Sequence, residues 1–281
     1  MGGNIANFGQ VGAANKPSPS IWKDCSKQQL DFLGNGIYRE HNFLANTIVT
    51  TTITSALLSR LNADGLSLDG DDDTVLKQHT SNTNGVLHIE TDGDDNDAIA
   101  LFSAPFGKIT RNSGQKLWFE AYVALGSASA DSGVFFGLAE LAALSRDIVA
   151  DNAAAGGVIG ESLVGFLVDN GDLDAVDFVY KKDAGSIVIV KSDITAAAAI
   201  TSAGGTAASV VANTFVKLGF RFDGRTKLQV FVNGYPVAVQ DIDTTFDQAK
   251  QLGAILAVKT GTAAAVDVKV DWVRYAFQAS Q

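Results

Sequence analysis

The residues best suited to chemistry in this sequence are carboxylates, and they come in runs. Asp69-Gly70-Asp71-Asp72-Asp73 and Asp92-Gly93-Asp94-Asp95-Asn96-Asp97 gather oxygen donors within a few positions, the donor type that Ca2+ takes. Neither run has the spacing of an EF-hand loop, which needs Gly at its sixth position and Glu at its twelfth. The first run places Thr74 and Thr80 there, and the second Asp97 and Ser103. Solvated acidic turns are therefore the favoured reading. Asp69, Asp71, Asp73, Asp92, Asp94 and Asp97 are kept as weak Ca2+ candidates, and no cofactor is expected. Asp169, Asp172, Asp174 and Asp177 form a third, sparser group.

Hydrolysis of a glycosidic bond with retention needs two carboxyl groups about 5 Å apart. On a strand they would occupy alternate positions, because alternate side chains share a face. The run Lys116–Leu125 offers Glu120, but Tyr122 and Ala124 follow it on that face. No catalysis is expected, and Glu120 reads as structural or solvent-facing, replaceable by Gln with the fold intact. His41, His79 and His88 are scattered, with no nucleophile or metal spacing around them. Cys25 is the only cysteine, which excludes an intrachain disulfide and leaves a small, partly buried hydrophobe. Binding a sugar would need an exposed aromatic ring beside Asn or Asp. Tyr235, after Asn233-Gly234, and Trp118 are the candidate platforms.

The elements that must position these residues are short β runs. From about residue 62 onward, apolar stretches alternate with turn chemistry, as in a sandwich or barrel. Strands are expected at Thr74–Gln78, Gly85–Thr91, Ala98–Ser103, Lys116–Leu125, Gly133–Ala139 and Val164–Val168. Phe178–Lys181 and Ile187–Lys191 form a hairpin. Val216, Leu218, Phe220 and Phe222 share one face. Asp223-Gly224 then turns the chain into Leu228, Val230 and Val232, and Asn233-Gly234 is a type I′ turn signal. Pro236 restricts the next strand to an edge or a strand start. Val266, Val268, Val270 and Trp272 alternate with charged residues in a last strand. The segment 47–63 fits either a strand or helical turns. Ala196–Ala212 reads as a surface loop, and Leu141–Gly160 as a short helix or loop.

The first part of the chain is different. Small and polar residues, Pro17 and Pro19, and isolated large apolar groups suit an extended arm that docks on a surface, either that of its own domain or that of a neighbouring subunit. Residues 1–60 are assigned to this arm, with Ile5, Phe8, Ile21 and Trp22 as partner-binding anchors, and residues 61–281 to the β domain. Folding of that domain is expected to be independent of residues before about 45.

Composition sets the remaining bounds. The chain has 281 residues with 46% hydrophobic content, enough for a packed core, and a net charge of −10. That charge argues against electrostatic binding to nucleic acid. No stretch approaches the roughly 20 apolar residues that cross a bilayer, so no membrane partner is expected. Met1–Gln10 has neither a basic nor an apolar signal region.

The run Lys217-Leu218-Gly219-Phe220-Arg221-Phe222-Asp223-Gly224, continuing through Leu228 to Gly234, resembles the paired strands of concanavalin-like and laminin-G-like jelly rolls. Val270-Asp271-Trp272-Val273-Arg274 resembles their closing strand, including that of the laminarinase-type glycoside hydrolases. Gly85–Thr91, Asp94–Ala98, Leu117–Glu120 and Phe135–Glu140 are similar to jelly-roll structural proteins of tailed bacteriophages. The resemblance covers about residues 60–281. It implies an all-β, two-sheet antiparallel jelly-roll (concanavalin A-like) sandwich and a non-enzymatic decoration or cement protein on a virion. That protein would be made in the host cytoplasm, with the major capsid protein and copies of itself in a homo-oligomer as partners. The alternative is a carbohydrate-binding, lectin-like module.

Overall fold

The computed structural model describes residues 16–30, 34–43, 65–71, 75–78, 85–126, 132–149, 162–168, 176–182, 185–194, 213–242, 246 and 250–279. Two single-turn helices open it, α1 (Pro19–Trp22) and α2 (Lys27–Leu30). Seven strands follow: β1 (Gly36–His41), β2 (Leu66–Gly70), β3 (Val75–Gln78), β4 (Leu87–Glu90), β5 (Ala98–Ser103), β6 (Lys116–Leu125) and β7 (Gly133–Glu140). After two 3-10 turns at Leu141–Ala143 and Arg146–Ile148 come β8 (Leu163–Val168), β9 (Val176–Lys181) and β10 (Ile187–Lys191). The last five are β11 (Val216–Phe222), β12 (Lys227–Val232), β13 (Tyr235–Asp241), β14 (Leu252–Lys259) and β15 (Asp267–Gln278).

Two antiparallel sheets result. The first runs β13-β12-β11-β6-β15-β4-β3, with β1 paired to the second half of β15. The second runs β10-β9-β8-β7-β14-β5-β2. The alternation that marked β6 sends Leu117, Phe119, Ala121 and Val123 inward, where Leu218 and Phe220 of β11 join them. Phe166 and Phe178 of the second sheet meet Phe220 with ring centroids 6.1 and 5.3 Å apart. This aromatic seam is the centre of the core. Burying such a side chain is worth about 1.5–3 kcal/mol.

The expected β5, β6 and β10 have the observed bounds, and most other strands shift by one to three residues. Asn233 and Gly234 take φ of 50° and 83°, as a type I′ turn requires. Pro236 lies on β13, at one edge of the first sheet. No alternation marks β14 in the sequence, although it lies inside the second sheet between β5 and β7. Its first seven residues are all buried, so an apolar run replaces alternation and the period-2 signal vanishes. The segments 47–63 and 196–212 lie outside the described residues.

The expected free arm is corrected over residues 16–30 and 34–43. Ile21, Trp22, Cys25 and Leu30 pack on Trp118, Phe231 and Ala276, on the face of the first sheet turned away from the core. β1 then adds to the sheet itself. These residues form a strap that is part of the sandwich. The strap forms because the outer face of the first sheet carries large apolar groups that water would otherwise contact. The outer face of the second sheet is covered likewise. Ala143, Leu144, Ile148 and Val149 sit on Phe135, Ala139, Leu163, Leu167, Ile255 and Ala257.

Candidate functional site

Glu120 is the focus of the strap. Its outward direction on β6 follows from the alternation that buries Phe119 and Ala121 on the other face. Across the sheet its neighbours are Gly219 on β11 and Arg274 on β15. It is completely buried. The Ser18 amide donates to both carboxylate oxygens at 3.2 and 3.0 Å, and the Trp22 indole donates to Oε2 at 2.6 Å. Pro19 opens α1 and Ser18 gives it no side-chain cap, so the carboxylate holds the strap where the short helix begins. Burial raises the Glu120 pKa, while the bonds from Ser18 and Trp22 and the charge of Lys217 pull the other way. Lys217 is itself lowered by burial, against the attraction of Glu120. Its ammonium donates to the Lys16 carbonyl at 3.2 Å.

Gly219 makes the seat. A Cβ there would come within 2.7 Å of the Ile21 side chain and 2.8 Å of the Phe119 carbonyl. A glycine inside a strand marks such close approaches, and Gly219 is the signal in the sequence that points to this one. Asp24 adds a rim to the strap, pairing with Arg221 at 2.8 Å and Lys116 at 3.5 Å. Arg274 lies over the Trp272 ring at 4.6 Å and donates to Glu40, its cross-strand neighbour on β1, at 2.6 Å.

This arrangement anchors; it does not resemble a two-carboxylate hydrolytic site. The cross-strand positions beside Glu120 hold a glycine and a cation, and its oxygens accept bonds from the strap. The expectation that Glu120 is structural or solvent-facing narrows to the first option.

The acidic runs take separate roles. Asp69 Oδ2 accepts the Arg146 amide at 3.1 Å, and Asp71 pairs with the Arg146 guanidinium at 2.6 Å. Asp71 also accepts the Ala98 amide at 3.1 Å. Both therefore hold the cover of the second sheet. Asp92 Oδ1 accepts the Asp94 amide at 2.8 Å in the turn before β5. Asp97 is raised to about 7 by burial and by its hydrogen bond with Asp92. Asp94 is exposed, and its carbonyl accepts from Thr260 at 2.8 Å. Asp177 accepts the Asp193 amide at 2.8 Å. Asp73, Asp169, Asp172 and Asp174 lie outside the described residues. Among the described residues no three acidic, His or Cys side chains are grouped to hold a metal ion.

Of the proposed sugar platforms, Trp118 is 1% exposed beneath the strap, so it offers no face to a ligand. Tyr235 is 40% exposed at the start of β13. Its neighbour Asn233 uses its side-chain oxygen to accept the Lys217 amide at 3.0 Å. Ile21 and Trp22, expected to face a partner, are wholly buried in their own chain, because the outer sheet face is the nearest apolar surface. Ile5 and Phe8 lie outside the described residues, as does His79. His41 bonds Tyr275 Oη and His88 bonds Asp267, each at 3.1 Å. The Cys25 thiol is pushed up to about 12 by burial and by Asp24. Between the sheets a cavity of about 30 Å³, lined by His41, Phe43, Ala121, Ala254 and Tyr275 among others, has room for about one water.

No protein-family model matches the chain, and no curated protein sequence matches it. Solved structures do match. A protein of unknown function from Shewanella oneidensis MR-1 aligns over 88% of each chain at 13% identity with a TM-score of 0.53. Peanut lectin, crystallised with a nine-residue peptide, aligns over 86% of this chain and 97% of its own at 12% identity and a TM-score of 0.53. The β-glucanase of Bacillus licheniformis aligns over 86% and 98% at 11% identity and a TM-score of 0.50. The chain is a concanavalin A-like jelly roll. That fold serves a lectin and a glucanase alike, so function must come from the site.

Proposed function

We propose that this jelly roll is a non-enzymatic structural protein that works by association, as a decoration or cement protein bound to the major capsid protein on a bacteriophage shell. One observation supports the non-enzymatic part: segments of the chain itself lie on part of the outer face of each sheet, and Glu120 is taken up in holding one of them. Such a sandwich presents edges and loops to a partner. The assignment to a virion rests on the sequence resemblance of residues 85–140 to phage jelly rolls. Attachment then falls to the residues before Lys16, which include Ile5 and Phe8. No cofactor, nucleic acid or membrane takes part.

The second reading is a carbohydrate-binding module. The shared fold with peanut lectin supports it at the level of architecture, and the exposed Tyr235 ring is its remaining platform. The experiment that separates the readings mixes purified protein with phage shells lacking decoration and, in parallel, with an immobilised glycan panel. Saturable binding to shells with no glycan retained is expected. Glycan binding that is lost in Tyr235→Ala, with no shell binding, would establish the second reading instead. Turnover of β-glucan would overturn both.

A further inference from the structure

The turn between β12 and β13 touches both the first sheet and the strap. Its residues are Asn233 and Gly234, and the sequence holds further Asn-Gly pairs at Asn35, Asn84 and Asn170. Of these, Asn35-Gly36 lies wholly within the described residues. In such a pair the glycine amide is tethered by the chain beside the asparagine side-chain carbonyl carbon, so the reacting atoms are brought together in advance. Glycine has no side chain to crowd the approach. Asn233 differs from Asn35 in what meets that carbonyl. The Lys217 amide donates to Asn233 Oδ1 at 3.0 Å, and the Asn233 amide donates to the Lys217 carbonyl at 2.8 Å, so the side-chain oxygen is held on β11. The Asn35 backbone carbonyl accepts the Ala279 amide at 2.9 Å, but among the described residues its side chain has no donor.

We propose that Asn233 is a site of spontaneous modification, where the side chain closes on the Gly234 amide and opens again as isoaspartate or aspartate, and that the isoaspartate form loosens the strap. Hydroxide takes the proton of the Gly234 nitrogen, which bonds to Asn233 Cγ. The bond from Cγ to the side-chain nitrogen breaks, and ammonia leaves with a proton from water. Water then opens the five-membered succinimide at either carbonyl. In the first addition the negative charge develops on Asn233 Oδ1, and the Lys217 amide already points at that atom. A fixed backbone N–H aimed at a developing oxyanion lowers the barrier to such an addition. The consequence for the strap follows from the packing of the turn. The Ser20 hydroxyl donates to the Gly234 carbonyl. A Cβ on Gly234 would lie 3.0 Å from the Ser18 side chain, so the turn and the start of the strap are in close contact. Isoaspartate carries the backbone through the side-chain methylene, lengthening the turn by one carbon at this contact. That displaces the acceptor of Ser20 and the neighbour of Ser18, whose amide is held by Glu120. Aspartate leaves the backbone as it was, and its carboxylate still accepts the Lys217 amide.

The test incubates the full chain in mildly alkaline buffer, once folded and once unfolded in urea, and maps its peptides by mass spectrometry, with fragmentation that tells isoaspartate from aspartate. Asn35 is the internal reference. In urea the two asparagines should convert at similar rates, because only their neighbours in sequence matter there. In the folded protein Asn233 should convert about tenfold faster than Asn35 or more, a modest share of what one oxyanion donor supplies in an enzyme. The isoaspartate fraction is then separated by ion exchange and compared with fresh protein and with Asn233→Asp, which has the charge of the product on an unaltered backbone. Exchange of the Trp22 indole proton should be about tenfold faster or more in the isoaspartate fraction, through local opening of the strap, and near that of fresh protein in Asn233→Asp. An Asn233 that stays intact in the folded protein, or converts no faster than Asn35, overturns the assignment of the site. An isoaspartate fraction with the Trp22 exchange of fresh protein, or an Asn233→Asp variant that exchanges equally fast, overturns the effect on the strap.

Discussion

Replacing Glu120 should loosen the strap by an amount that the geometry sets. Its carboxylate accepts the Ser18 amide and the Trp22 indole in a fully buried place. Hydrogen bonds to a charged group are worth about 1.5–3 kcal/mol, and each orphaned buried donor costs about 1–3 kcal/mol. Glu120→Ala orphans both donors, for a loss of about 3–5 kcal/mol, the range for breaking a buried charged network. Glu120→Gln keeps one acceptor but turns an amide N–H toward a donor. Against that, it removes a charge whose burial is the leading influence on its pKa, so the net loss is about 1–2 kcal/mol. Urea denaturation followed by tryptophan fluorescence measures both variants. A double-mutant cycle with Trp22→Phe isolates the indole bond and should give a coupling of about 1–2 kcal/mol. A loss below about 0.5 kcal/mol for Glu120→Ala, or no coupling, would refute the anchoring role.

Three further outcomes follow from the same structure. Asp97 holds its proton to about 7 against 3.8 in the unfolded chain, so the folded state binds the proton more tightly. Its contribution to stability is full below about 4 and is lost as pH rises through 7; Asp97→Asn should flatten that part of a melting-temperature profile, and an unchanged slope would contradict it. Asp92, held low by its bonds with Asp97 and the Asp94 amide, titrates below that window. Cys25, with its thiol near 12, should resist iodoacetamide at pH 8 in the native protein and react once urea unfolds it, as read by mass spectrometry. Arg146→Ala removes an ion pair that is one-third exposed on both partners, so the loss in denaturant unfolding should be only about 0.2–1 kcal/mol. Faster amide exchange should accompany it, confined to residues 141–149.

What the sequence made legible follows from which faces are wet. β6 and β15 alternate because each has one face in the core and one that is partly polar, and the Asn233-Gly234 turn needs positive φ at two successive positions. β14 was silent because cover and core both bury it. The strap is legible only in part: spaced apolar groups describe a docking segment, but nothing in them says whose surface it docks on, and Pro19 opens the single-turn helix α1 where an extended run was expected. The answer lay in residues far along the chain. Gly219 leaves room for Ile21, and Glu120 waits for the Ser18 amide. Likewise Asp69 and Asp71 look like metal ligands until Arg146, more than seventy positions later, is placed beside them.

Residues 16–30 and 34–41 are part of the sandwich and not a free arm. Hydrogen exchange at the Trp22 indole, observed by nuclear magnetic resonance in the native protein, tests it most directly. That proton points at Glu120 in a wholly buried place. It should exchange only through opening close to global unfolding, at a free energy matching the core amides of β6 and β11. Exchange at the rate of a fraying terminus, with those core amides still protected, would show that the strap lies loosely on the sheet and would contradict the account.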